Sequence, residues 1–105
     1  FKHKIALLGD MLEMGKEEHS AHIDVLRLAI SLKLKIGIVG PRFEAAYQSL
    51  NSQEQQSIYW KSNTSNEMLK QIAKLPKGPK AILLKGSRGM KMEILLNNYP
   101  EESHE

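Results

Sequence analysis

Two short segments hold the residues best equipped for chemistry in this chain. The first is Gly9-Asp10-Met11-Leu12-Glu13-Met14-Gly15, with two carboxylates, and the second is Lys85-Gly86-Ser87-Arg88-Gly89, with a hydroxyl and two cations. Asp10 and Glu13 can hold an ammonium, a ribose or a hydrated magnesium ion. Asp10 can instead only fix its own turn, because aspartate hydrogen-bonds nearby backbone readily. In the second segment, glycines let backbone N–H groups approach an anion. Ser87 can donate or accept, and Arg88 can clamp a carboxylate or phosphate through two parallel bonds. The plainer reading is a serine cap beside solvated cations. The G-x-x-x-x-G-K-[ST] spacing of a phosphate loop is absent from the chain.

Few other residues compete. His19 and His22 lie one helical turn apart, but no third ligand stands at useful spacing, so no metal site is expected. Met11, Met14, Met90 and Met92 read as gap-filling core residues. Tyr59 and Trp60 read as a sheet–helix interface. No Ser-His-Asp or Cys-His arrangement stands out, and no catalytic residue is assigned.

The elements that must position these segments alternate regularly. Apolar runs at 4–8, 35–39, 57–60 and 81–84 read as buried strands. Helices are expected over about 17–33, 42–50, 64–75 and 88–99. Their apolar stripes are Val25, Leu28, Ala29 and Leu32, then Phe43, Ala46, Tyr47 and Leu50, then Met92, Leu95, Leu96 and Tyr99. Thr64 and Glu67 have the spacing of a capping box. Residues 51–56 read as polar connection, Pro76-Lys77-Gly78-Pro79 as a tight connection, and 101–105 as a frayed tail. The expected fold is α/β and Rossmann-like: a mostly parallel sheet of about four strands with helices on both faces. Both segments then lie at the carboxyl rim of the sheet, where ligands bind in open α/β folds.

Composition narrows the function. A chain of 105 residues makes one domain. Its net charge of +3, from scattered lysines, does not point to nucleic acid. There is no cysteine, hence no disulfide framework or thiolate zinc site. No apolar stretch approaches the ~20 residues of a membrane span. The apolar stretch behind Phe1-Lys2-His3-Lys4 is too short for a secretory signal.

Taken together, the motifs are similar to something specific. The run 5–15, followed by His22, resembles the C-terminal domain of the Mur ligases, in their dipeptide-adding member. The run 83–93 resembles the last strand and helix of the same domain. The resemblance spans nearly the whole chain. It implies a Rossmann-like third domain of a bacterial, cytoplasmic, ATP-dependent ligase. Such an enzyme adds D-alanyl-D-alanine to UDP-N-acetylmuramoyl-tripeptide through an acyl phosphate, in peptidoglycan precursor synthesis. It further implies that Asp10, Glu13, Lys85, Ser87 and Arg88 line the dipeptide side of the cleft. ATP and Mg2+ would be bound mainly by the central ATPase domain, which is not among these residues. The segment that opens the family's C-terminal domain would precede Phe1, so 1–105 is expected to be that domain shortened at its N-terminal side and inactive alone. Other Mur-type ligases carry different loops at the first motif.

Two readings from other classes stand beside this one. A phosphorylated receiver module needs an aspartate after a middle strand, where this chain has Gly40-Pro41-Arg42. A free-standing anion-binding or interaction module remains compatible with the loops.

Overall fold

The computed structural model describes residues 3–72, 75 and 80–98. Four apolar runs form strands: β1 (His3–Gly9), β2 (Lys35–Val39), β3 (Ile58–Ser62) and β4 (Lys80–Lys85). They pair in the order β3-β2-β1-β4, and every pairing is parallel. Strands β1 and β2 bury side chains on both sides of the sheet, which is why they read as continuous apolar runs rather than alternating ones.

Helices α1 (Glu18–Ser31) and α2 (Pro41–Gln48) cover one face, over Ala6, Leu8, Ile36 and Ile38. Helices α4 (Ser65–Ile72) and α5 (Glu93–Asn98) cover the other, where Ile5, Leu7, Val39 and Trp60 meet Met68, Met92 and Leu95. Each such aliphatic side chain contributes about 1.5–3 kcal/mol when fully buried. The short α3 (Ser52–Gln55) occupies part of the expected polar connection. Asn51 accepts from Glu54 N, and the Glu54 carboxylate accepts from Asn51 N, so a single turn carries a complete capping box. At α4, Thr64 Oγ accepts from Glu67 N, while Glu67 reaches Asn63 N rather than Thr64 N.

Three expectations need correction. Only half of the expected α1 stripe faces the core: Ala29 is buried and Val25 packs against the core, but Leu28 and Leu32 are 61% and 56% exposed, and His22 and Leu26 complete the buried face. Nothing among the described residues covers β4 on that face, so these leucines and Leu83, 50% exposed, border an open groove. The last helix does not begin at Arg88. A 3-10 turn, Arg88–Met90, is followed by Lys91 in the left-handed conformation (φ 53°), and α5 starts at Glu93. That break turns Met92 onto the sheet, against Gly9 and Gly86. Tyr59 is also exposed, with only Trp60 entering the interface. The connection 76–79, the tail 101–105, Tyr99 and the side chain of Leu96 lie outside the described residues.

Candidate functional site

The parallel sheet sends all four carboxyl ends to one rim. The chain leaves β1 toward α1 on one face and leaves β4 toward α5 on the other. Neighbouring strands whose connections part to opposite faces define the switch point at which α/β sheets bind ligands. Leu8 pairs with Lys85, so the two motif loops stand side by side at that point.

Hydrogen bonds tie these loops together. Ser87 N donates to the Asp10 carbonyl at 3.1 Å, and Leu12 N donates to Ser87 Oγ at 2.8 Å. Beneath them Gly86 lies against Gly9: a Cβ on either would drive into Met92, and on Gly86 it would also press on the Gly9 backbone. Close packing of β1 on β4 therefore requires these glycines.

Asp10 is fully buried, and its carboxylate is consumed. Oδ2 accepts from Arg42 N and Oδ1 from Phe43 N, each at 2.9 Å. The Arg42 guanidinium lies 3.6 Å from Oδ2. Pro41, first in α2, has no N–H, and Glu44 N donates to the Gly40 carbonyl. Asp10 thus caps α2 from 32 positions away in sequence. Gly40 makes this possible: its φ is 113°, and a Cβ there would collide with the Asp10 carboxylate. The geometry gives Asp10 a structural task that neither reading named: it caps α2 rather than fixing its own turn.

Arg42 ties the cap to α1. Its Nε donates to Glu18 Oε1 at 2.8 Å, and Glu18 first, then Asp10, raises the guanidinium above its already high ordinary pKa. His22 is buried with both ring nitrogens engaged, and His19 Nε2 is 2.9 Å from Ser49 Oγ. No three His, Asp or Glu side chains converge among the described residues.

The remaining expected residues do not share one pocket. Glu13, Lys85 and Arg88 are exposed. Lys85 and Ser87 stand at the rim end of the groove between α1 and β4, a space of about 560 Å³ floored by Ala6 and Leu8. A second cavity, about 270 Å³, opens at the rim among Asp10, Arg42, Asn63, Thr64 and Lys91. The sequence reading missed Arg42, Asn63 and Lys91. The available signal was position: Arg42 and Asn63 each follow a strand of the same parallel sheet.

Neither the family models nor the curated proteins yield a match. Solved structures do. Two crystal structures of MurF from Acinetobacter baumannii superpose with TM-scores of 0.75 and 0.71, at 27% and 26% identity over 92% and 90% of this chain. MurF ligase from Thermotoga maritima, in complex with ADP, superposes with a TM-score of 0.70 at 23% identity over 92% of the chain.

The chain has the fold of one part of these MurF structures.

It spans 21–22% of the length of those three neighbours. Two parts of this rim, the start of α2 and the loop after β4, make a poor cradle for nucleotide phosphates. The early N–H groups of α2 are spent on Asp10 and Gly40. The close side of Gly86 is filled by Gly9 and Met92, and only a three-residue 3-10 turn follows Ser87. No helix among the described residues is long and apolar enough to cross a membrane.

Proposed function

We propose that this chain is the C-terminal domain of an ATP-dependent ligase, where it presents D-alanyl-D-alanine for addition to UDP-N-acetylmuramoyl-tripeptide. The observation that carries the reading is the pair of loops bonded together at the switch point of a MurF-like sheet. A zwitterionic dipeptide needs an acceptor for its ammonium and donors for its carboxylate. With Asp10 spent, Glu13 is the acceptor: its carboxylate is exposed and makes no hydrogen bond or ion pair among the described residues. Arg88 is equally uncommitted, Lys85 is exposed nearby, and the Ser87 hydroxyl hydrogen remains available because its oxygen serves as the acceptor for Leu12.

The chemistry of phosphoryl transfer belongs, in this reading, to polypeptide beyond these residues, which would hold ATP and Mg2+. The share of the neighbours' length that the chain spans supports this division, and so does the apolar groove beside β4. Alone, the domain is expected to have no ligase activity.

The test is a chimera in which this chain replaces the matching segment of the Acinetobacter baumannii MurF. The expected result is ADP release that requires both UDP-N-acetylmuramoyl-tripeptide and D-alanyl-D-alanine. A folded chimera that binds ATP but releases no ADP with the dipeptide, or releases it with another amine instead, overturns the proposal.

A further inference from the structure

His22 is fully buried on α1, and the reading above gives it no task. Its contacts specify one. Nε2 lies 3.0 Å from Met11 N, and Nδ1 lies 2.6 Å from the Glu18 carbonyl oxygen. A backbone N–H only donates and a carbonyl only accepts. The ring proton therefore sits on Nδ1, and Nε2 is the bare acceptor. Phe43 meets the ring edge-on, with centroids 4.5 Å apart, so packing fixes the ring as well.

The loop these contacts hold has an unusual backbone. Glu13 has φ 62°, in the left-handed region. For a residue with a Cβ that conformation costs about 1 kcal/mol or more, and it persists only where the surroundings over-determine it. The two amides immediately before Glu13 supply that determination. Met11 N is held by His22 on α1, and Leu12 N by Ser87 beyond β4. The turn that follows carries the Glu13 carboxylate out of the loop, exposed and uncommitted.

We propose that His22 is a positioning residue. As the Nδ1–H tautomer it fixes Met11, and so sets the left-handed turn that presents Glu13 to the ammonium of the amine substrate. The substrate half rests on the function proposed above; the loop half does not.

The experiment uses the 15N-labelled chain with His22→Gln, His22→Leu and Glu13→Gln. Glutamine can accept from Met11 N and donate to the Glu18 carbonyl, whereas leucine fills space without an acceptor. Long-range 1H–15N spectra of the wild type should show His22 protonated at Nδ1 and bare at Nε2. In His22→Leu, amides 11 and 12 should exchange about tenfold faster, the equivalent of one lost hydrogen bond, while β1 and β2 keep their protection. His22→Gln should restore most of the difference.

A proton on Nε2, or unchanged loop exchange in His22→Leu, overturns the proposal, and the tautomer alone decides if His22→Leu does not fold. In titrations with D-alanyl-D-alanine, His22→Leu and Glu13→Gln should weaken the response about tenfold, and His22→Gln should recover it. A loosened loop with full dipeptide affinity overturns the positioning role. Absence of any dipeptide response in the wild type instead counts against the ligase reading, and the tautomer and exchange results are read separately.

Discussion

Replacing Asp10 by asparagine separates a ligand-facing acid from a structural one. Each carboxylate oxygen takes one amide hydrogen, from Arg42 and Phe43. Asparagine offers one acceptor oxygen and an NH2 that only donates, so one of the two amides must face a donor at a buried side chain. A buried donor without a partner costs about 1–3 kcal/mol, and the surviving bond loses its charge-assisted strength. A total near 3 kcal/mol is expected. At about 2.1 cal/mol/K per residue, 105 residues have an unfolding entropy of roughly 0.22 kcal/mol/K. The thermal midpoint of Asp10→Asn should therefore fall by about 14 °C, followed by far-UV circular dichroism. Hydrogen exchange should locate the damage at amides 42 and 43. A fall of less than about 4 °C, equivalent to under 1 kcal/mol, would refute the assignment of Asp10 to the α2 cap and return it to the list of ligand contacts.

Other outcomes follow from the same geometry. Gly40→Ala should destabilise by about 2 kcal/mol or more, from strain at φ 113° and collision with Asp10, read as a lower urea midpoint. Arg88→Ala should leave stability within about 0.5 kcal/mol; in a ligase carrying this domain it should weaken dipeptide use about 10–150-fold, the loss of one charge-assisted bond. Arg27, and then the Asn51 amide, hold Glu54 below its ordinary pKa. A carboxylate with a depressed folded pKa stabilises above its unfolded value, and the contribution is lost as pH falls below about 4.3. Glu54→Gln should flatten the acid limb of a stability–pH profile, and an unchanged limb would refute this. Leu28→Lys should be nearly neutral in the present chain, but should cost about 1.5–3 kcal/mol in any longer ligase whose polypeptide fills the groove.

The central strands β1 and β2 were legible because burial on both faces leaves an uninterrupted apolar signature. Their parallel order then placed both motif loops on one rim without further information. The α1 stripe misled because periodicity reports an apolar face and not what covers it: Leu28 and Leu32 border the groove, while the true core face includes the polar His22. The role of Asp10 was hidden for a different reason. A cap normally sits next to its helix, and this one reaches across the sheet rim from another strand's loop. Ser87 had the expected capping residue type, but its oxygen serves Leu12 rather than its own turn. The left-handed residue at the break is Lys91 and not the nearby Gly89, so residue type did not mark the place; tertiary packing of Met92 accompanies it. Arg42, Asn63 and Lys91 come from three different strand ends, and only the assembled rim brings them to one cavity.

The most direct measurement is an NMR titration of the chain with D-alanyl-D-alanine, with L-alanyl-L-alanine as control. Shifts confined to amides 11–15 and 86–91 are expected, present with the D,D dipeptide and absent with the L,L form. Equal shifts with both dipeptides, or none at tens of millimolar ligand, would contradict the proposed function.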